Sequence, residues 1–227
     1  MNNKTGMLIT FEGPEGSGKS TQIQKLTNAL RDRGLDIVQL REPGGTKISD
    51  QFRVIPHDLA NDKLSTWAEA WAYQGARAQL YEEVITPSLN QGKIILCDRS
   101  IDSTIAYQGF ARGLGCVRLD EINKISTQSV IPDLTIFFDL PVEQGLHRRQ
   151  VGEGEWNRLD AEALEFHQNV RYAYLTMHNH DKVDGRWRYV DASRGIDEVY
   201  ADVRRIVESE LTSRGFIESI CSSKERR

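Results

Sequence analysis

Short apolar runs alternate with amphipathic stretches along most of the chain. The runs lie at residues 7–11, 36–41, 93–98, 134–139 and 187–191. Each is rich in apolar residues, as expected for strands that are covered on both faces of a parallel sheet. Between the runs, apolar residues recur every three or four positions, which predicts helices. Strands alternating with helices predict an α/β fold, a doubly wound sheet of five parallel strands with helices on both faces.

The same pattern predicts one domain over residues 1–211, followed by a polar C-terminal tail at 212–227. A long helix is predicted from Thr66, where Thr66 and Glu69 have the spacing of a capping box, to Pro87. Another helix is predicted at 142–150. The polar, glycine-containing stretch after it predicts a mobile lid at about residues 148–159.

Composition narrows the class of protein. The net charge of −4 leaves no basic footprint for a nucleic-acid backbone. No apolar run is long enough for a membrane span, and the first residues lack the apolar core of a signal peptide. Three widely spaced cysteines, Cys97, Cys116 and Cys221, favour free thiols. We therefore expect a cytoplasmic enzyme with neither nucleic-acid nor membrane partners.

A phosphate-binding loop follows the first predicted strand. Residues 13–20 read GPEGSGKS, which has the G-x-x-x-x-G-K-S spacing, and a predicted helix follows. Backbone N–H groups of such a loop surround a phosphate at the helix N-terminus. Lys19 is expected to reach the β- and γ-phosphates of ATP, and Ser20 to bind Mg²⁺. The predicted ATP site comprises Gly13, Pro14, Glu15, Gly16, Ser17, Gly18, Lys19, Ser20 and Thr21.

Charged residues stand where two further strands end, which is where α/β sheets place ligands. Asp98 suits Mg²⁺ or its water shell, and Arg99 suits a bidentate grip on a second phosphate. The alternative for this pair is a buried ion pair at a helix start. Arg41, before a Pro-Gly-Gly turn, is either a phosphate contact or a solvated side chain.

Two further features leave alternatives open. Tyr73 lies at helical spacing with other apolar residues, which fits either a core position or a platform for a ligand. Arg148, Arg149 and Arg158 flank the predicted lid. They either close over transferring phosphates or form a solvated basic face.

Four blocks of residues, in this order, resemble the thymidylate kinase family. They are the phosphate loop, REPGGT at 41–46, DRSIDSTIAYQ at 98–108 and PDLT at 132–135. The third block is the family's signature. The resemblance implies a P-loop kinase fold, transfer of the ATP γ-phosphate to dTMP with Mg²⁺, and a homodimer packed partly through the helix that begins near Thr66.

The resemblance also implies an acceptor site. Arg41 and Arg99 would hold the phosphate of dTMP, Tyr73 occupies the position of a phenylalanine that stacks on thymine, and Arg77 would reach a base carbonyl. Thr104 and Gln108 would lie near the base or sugar, and Tyr107 near the sugar 2′ position. Glu15 would lie near the 3′-hydroxyl.

The lid is less basic than the family pattern implies, which leaves Arg149 and Arg158 as the best lid arginines and Arg148 next. The sparse lid and Tyr73 keep an alternative open, a monophosphate kinase with shifted or modified-pyrimidine specificity. A nucleotide-binding module without transfer activity is the second alternative. The resulting catalytic set is Lys19, Arg99, Arg149, Arg158 and Glu15.

Overall fold

Five parallel strands form one sheet in the computed structural model, which describes residues 6–152, 156–181 and 185–218. Part of the predicted lid and of the predicted tail therefore lies outside the described residues. The strand order is β2-β3-β1-β4-β5, which confirms the predicted five-stranded parallel sheet. The strands are β1 (Met7–Glu12), β2 (Ile37–Arg41), β3 (Ile94–Asp98), β4 (Leu134–Asp139) and β5 (Trp187–Asp191).

Helices connect the strands. Two π-helical segments, Tyr81–Ile85 and Ile105–Ala111, continue α3 and α5 respectively. None of the helices in the described ranges is long and apolar enough to cross a membrane. The α-helices are α1 (Lys19–Arg31), α2 (Lys47–His57), α3 (Thr66–Leu80), α4 (Thr86–Asn90), α5 (Ile101–Thr104), α6 (Cys116–Ser126), α7 (Val142–Val151), α8 (Leu164–His180) and α9 (Ile196–Ser213).

Alternation along β1 shows how the two faces of the sheet are covered. Met7, Ile9 and Phe11 pack in a core cluster with residues of α1 and α9. Leu8 belongs to a second cluster with residues of α3 and β3, so helices cover the opposite face. The sheet is therefore wound on both faces, as predicted.

A third cluster lies beneath the carboxyl edge of β4 and carries aromatic side chains. Tyr174 of α8 is fully buried, and its ring stacks on Phe137 at 5.6 Å between centroids. Tyr73 and Tyr107 belong to the same cluster. Close aromatic packing fixes the orientation of these side chains, which form part of the floor of the site described below.

The long helix begins and ends differently from its prediction. The N-cap is Ser65, whose hydroxyl accepts a hydrogen bond from the Ala68 nitrogen at 3.3 Å. The capping box of Thr66 and Glu69 was therefore wrong, because Glu69 is buried one turn inside and binds other groups. Pro87 does not end the helical path, since α4 begins at Thr86 and continues to Asn90.

The C-terminal helix extends slightly beyond the boundary expected at residue 211. α9 runs to Ser213, and partly buried Phe216 and Ile217 pack against the core cluster of α1 and α9. Arg214 donates a hydrogen bond to Asp133 at 2.6 Å. The first residues after 211 therefore contribute to the packed domain.

Candidate active site

A cavity of about 770 Å³ lies at the carboxyl ends of β1, β2 and β3. Open α/β sheets place their ligands at this edge. The phosphate loop forms one wall, and α3 with the segment Ile105–Ala111 forms the opposite wall. Residues 15–21 line it, together with Arg41, Tyr73, Arg77, Asp98, Arg99, Thr104, Tyr107, Gln108, Arg148 and Arg149.

The loop requires glycine at two close approaches. Gly13 has a φ of 141°, and a Cβ there would lie 2.3 Å from the carbonyl oxygen of Phe138. Gly16 has a φ of 70°, and a Cβ there would lie 2.1 Å from the carbonyl oxygen of Gly145. Both φ values also disfavour side chains. The loop therefore packs directly on β4 and α7, and it leads into the N-terminus of α1.

Lys19 holds the loop in shape from inside. Its ammonium donates to the carbonyl oxygens of Gly13 and Pro14 at 3.1 and 2.9 Å, and to the Ser17 hydroxyl at 3.0 Å. Burial, and next the charge of Arg99, lowers the pKa of Lys19 to about 8. The loop is therefore preorganised around a cation. The loop from Glu15 onward lines the cavity, whereas Gly13 and Pro14 do not line it.

Ser20 and Asp98, the two residues predicted to hold Mg²⁺, are in contact with each other. The Ser20 hydroxyl donates to the Asp98 carboxylate at 2.5 Å. Ser20 belongs to the first turn of α1 and Asp98 ends β3, so adjacent elements bring the hydroxyl and the carboxylate together.

Arg99 and Glu15 form the charged centre of the cavity. Nη2 of Arg99 lies 2.9 Å from Oε1 of Glu15 but outside hydrogen-bond geometry, so this contact is a charge pair. Burial would raise the pKa of Glu15, but Arg99 and then Lys19 lower it to about 2. The Tyr107 hydroxyl also donates to Glu15 at 2.9 Å. The alternative pairing of Arg99 with Asp98 is therefore not the observed one.

A buried carboxylate near Arg99 was not among the residues predicted for the site. Glu12 accepts hydrogen bonds from the Ser100 nitrogen at 2.7 Å, the Ser103 hydroxyl at 2.6 Å and the Tyr174 hydroxyl at 2.8 Å. Burial, and next the charge of Asp102, raises the pKa of Glu12 to about 7. The signal in the sequence was a carboxylate at the end of an apolar strand, immediately before the loop.

Arg77 organises the acceptor side while lining the cavity. Its guanidinium donates to Glu42 at 2.6 Å, to the Thr104 hydroxyl at 2.8 Å and to the Ser100 carbonyl oxygen at 2.9 Å. Arg77 is only 3% exposed. Arg41 is the opposite case: it is exposed and lies 3.6 Å from Asp50, so its side chain can turn toward an anion.

Two cavity residues on α2 carried no recognisable motif. Arg53 donates to the Pro43 carbonyl oxygen at 3.0 Å, and the His57 ring lies edge-on to Tyr73 at 6.2 Å between centroids. Burial, and next the charge of Arg53, lowers the pKa of His57 to about 4. Their spacing of four positions, which places them on one helix face, was the only available signal.

Tyr73 lines the cavity with its ring, but its hydroxyl is enclosed. The hydroxyl oxygen is buried without a hydrogen-bond partner among the described residues. We expect Tyr73→Phe to raise the free energy of unfolding by about 1 kcal/mol, because it removes an unsatisfied buried polar group. Urea denaturation monitored by circular dichroism measures the change.

The matched control for this prediction is Tyr174→Phe. The Tyr174 hydroxyl contacts Glu12 and Ser103 at 2.8 Å and Arg99 at 3.2 Å. Its removal leaves these partners unsatisfied, so we expect a loss of about 1–3 kcal/mol. A loss of stability in Tyr73→Phe as large as in Tyr174→Phe would contradict the prediction.

The arginines near the predicted lid divide into two groups. Arg148 and Arg149 line the cavity, and Arg149 donates to the Asp160 carboxylate at 3.1 and 2.6 Å. Arg158 does not line the cavity; its guanidinium binds Glu69, Glu162 and the Pro56 carbonyl oxygen. Buried acceptors therefore hold the Arg158 side chain away from the cavity lining, and its catalytic role stays a prediction.

Comparisons with known proteins show which family the chain resembles. The family model described as thymidylate kinase matches residues 11–203. A thymidylate kinase of Bacillus licheniformis is 42% identical over 207 residues, covering 91% of this chain and 97% of the relative. One from Nitratidesulfovibrio vulgaris is 44% identical over 216 residues, covering 91% of this chain and 98% of the relative.

The fold is also similar to a solved structure. A crystal structure of thymidylate kinase from Ehrlichia chaffeensis superposes with a TM-score of 0.72 at 29% identity. The match covers 89% of this chain and 98% of that one. On the family model and these relatives together, the chain belongs to the thymidylate kinase family.

Proposed function

We propose that the protein transfers the γ-phosphate of ATP to dTMP, giving dTDP and ADP. One observation carries the proposal. A single cavity joins the phosphate loop and Arg99 to an opposite wall with Tyr73 and Arg77, so it has room and charge for two nucleotides. Membership of the thymidylate kinase family supports dTMP as the acceptor.

Phosphate transfer requires the protein to position the two nucleotides and to supply positive charge. An oxygen of the dTMP phosphate attacks the γ-phosphorus, and the bond from that phosphorus to the bridging β–γ oxygen breaks as ADP leaves. No covalent enzyme intermediate is needed. Lys19 and Arg99 supply positive charge around the transferred group, and Glu15 holds Arg99 from the loop side.

The residues present fit Mg²⁺. The hydroxyl of Ser20 and the carboxylate of Asp98 are hard oxygen ligands in contact with each other beside the loop. Mg²⁺ usually takes one or two protein ligands and completes its shell with phosphates and water. When bound, Mg²⁺ would neutralise charge on the ATP phosphates, and Ser20 and Asp98 would hold it.

We also propose that two copies of the chain form a homodimer. Large apolar side chains are exposed on α2, α3 and α6, for example Val54, Trp71 and Ile125 at 61, 56 and 78%. Pairing of two such surfaces would cover them.

The free thiols of Cys97 and Cys116 agree with our proposal of a reducing, cytoplasmic setting.

Steady-state assays of phosphate acceptors test the function. With ATP and Mg²⁺, we expect kcat/KM for dTMP to exceed that for dCMP, dGMP and UMP by at least about 10²-fold, because buried polar groups reject a base that leaves them unpaired. ADP release coupled to pyruvate kinase and lactate dehydrogenase measures the rates. A value for dTMP no better than for the other nucleotides would refute the proposal.

The depressed pKa of Lys19 predicts a pH dependence. In the nucleotide-free protein Lys19 has a pKa of about 8, so its ammonium loses its proton as the pH rises through that value. We expect kcat/KM for ATP to fall about tenfold per pH unit above pH 9, since kcat/KM reports groups of the free enzyme. The measurement is a pH profile of kcat/KM for ATP at a dTMP concentration well below its KM. Constant kcat/KM up to pH 10 would contradict it.

A further inference from the structure

A buried carboxylate, Glu69, lies beside the acceptor half of the cavity at the centre of a polar cluster. It is 1% exposed, and its oxygens accept hydrogen bonds from Arg112, Arg158 and the side-chain amide of Gln108. Gln108 and Arg112 are close to each other in the sequence, whereas Arg158 comes from a distant part of the chain. No step of phosphate transfer uses Glu69.

Gln108 is the member of this cluster that reaches the cavity. Its amide nitrogen donates to Oε1 of Glu69 at 2.8 Å. In the described part of the chain, no donor lies within hydrogen-bond distance of the amide oxygen of Gln108. A carboxylate accepts hydrogen bonds and donates none, so the nitrogen must face Glu69 and the oxygen must point away from it. Rotating the amide by 180° would bring two buried acceptors into contact and leave both unpaired.

Two arginines hold the Glu69 carboxylate in the position from which it fixes the orientation of the Gln108 amide. Arg112 donates to both carboxylate oxygens of Glu69, at 3.3 and 3.1 Å, and its guanidinium lies 4.4 Å from the Phe166 ring centroid. Arg158 binds Glu69 and also donates to the Pro56 carbonyl oxygen at 3.0 Å. Glu162 pairs with both arginines. With so many anchors, the carboxylate cannot turn away from Gln108.

We propose that Glu69 is a positioning residue that fixes Gln108 with its amide oxygen available to the base. The proposal rests on the proposed function, in which a pyrimidine occupies this side of the cavity. Thymine and uracil carry an N–H at N3, which can donate to that oxygen. N3 of cytosine carries only a lone pair and would face another acceptor. Glu69 thereby selects pyrimidines with a protonated N3 and disfavours cytosine.

The variant Glu69→Gln tests this role. A glutamine at position 69 can turn either its nitrogen or its oxygen toward Gln108, so both orientations of the Gln108 amide become accessible. We expect the ratio of kcat/KM for dTMP to that for dCMP to fall by about 10-fold or more. The coupled assay of ADP release measures both values. An unchanged ratio in folded Glu69→Gln would overturn the proposal.

Glu162→Gln is the matched control. It removes a carboxylate that pairs with the same two arginines, but within the described part of the chain Glu162 forms no hydrogen bond with Gln108. We expect this variant to change the ratio by less than about twofold, because partly exposed ion pairs contribute little. Equal falls in Glu162→Gln and Glu69→Gln would overturn the proposal, since general loss of ion pairing would then explain both.

A swapped pair separates positioning from stability. In Glu69→Gln combined with Gln108→Glu, the total charge is kept and a carboxylate at 108 can only accept hydrogen bonds from the base. We expect this double variant to keep the dTMP-to-dCMP ratio within about threefold, whereas Gln108→Leu loses about tenfold or more. A swapped pair as unselective as Gln108→Leu overturns the proposal, even if Glu69→Gln alone does not fold.

The wild-type protein separates this inference from the proposed function. If it does not phosphorylate dTMP, the proposed function fails and the inference fails with it. If it phosphorylates dTMP with a preference over dCMP that Glu69→Gln leaves intact, the proposed function stands and the role of Glu69 alone is refuted.

Discussion

Arg99→Ala is expected to lower kcat/KM for dTMP by about 10³-fold or more, the scale on which arginines act in phosphoryl transfer. Arg99 is partly buried beside Glu15 and the loop, where its guanidinium lines the cavity. Burial would lower the pKa of Arg99, but Glu15 and neighbouring tyrosines hold it well above its ordinary value. The side chain therefore stays charged throughout the assay range, and steady-state kinetics at pH 7.5 measure the loss.

Two further variants make the Arg99 result interpretable. Arg99→Lys keeps the charge but loses the planar fork that holds a phosphate at two points, so we expect an intermediate loss of about 10²-fold. Arg171→Ala removes an arginine that pairs with Asp139 outside the cavity, and we expect less than about a threefold change. Near-normal turnover of dTMP by folded Arg99→Ala would show that the acceptor phosphate binds elsewhere.

The sheet and the loop could be predicted because their signals are local. The strand Leu134–Asp139 was predicted to the residue, since a short, continuous apolar run bounded by turn residues fits a buried parallel strand. The loop at residues 13–20 was identified from its own spacing and from the elements on each side. Neither prediction needed knowledge of a distant partner.

Arg158 shows why the lid side of the site could not be predicted in the same way. Its position next to a polar, glycine-containing stretch favoured a role over the phosphates. Its partner Glu69, 89 positions earlier, instead holds the guanidinium in a buried ion pair. Local sequence gives the chemistry of a side chain but not the distant acceptor that captures it. The same limit explains why Glu69 was taken for a capping residue.

Glu12 and Arg53 mark a second limit. Glu12 lies in a strand and Arg53 in a helix, and neither belongs to a motif that periodicity reveals. Packing decides both: β1 directs Glu12 toward Ser103 and Tyr174, and α2 brings Arg53 to the cavity. The roles of residues outside a recognised motif could therefore be identified only from the packing of the helices and strands.

Lys19→Met is expected to lower kcat by about 10³-fold, equivalent to about 4 kcal/mol of transition-state stabilisation. The ammonium of Lys19 lies within the loop, where the ATP phosphates are proposed to bind. Methionine keeps the length of the side chain and removes the charge. The measurement is kcat at saturating ATP and dTMP, with the free energy of unfolding determined in parallel.

The fold should tolerate this change. The pKa of Lys19 lies at about 8, below its ordinary value of 10.5, because burial disfavours the charged form. At pH 7, below both values, the folded protein therefore carries the cost of a buried ammonium, and methionine removes it. Loss of the three loop hydrogen bonds acts in the opposite direction. We expect the free energy of unfolding to fall by no more than about 1 kcal/mol.

Lys25→Met is the control on the same helix. Lys25 is partly exposed and pairs with Asp197 at 2.6 Å, away from the cavity lining. Exposed ion pairs contribute about 0–1 kcal/mol, so kcat should stay within about twofold of the wild-type value. If folded Lys19→Met kept the turnover of Lys25→Met, the ammonium would have no part in phosphate transfer. Its three contacts within the loop would then make Lys19 a structural residue alone.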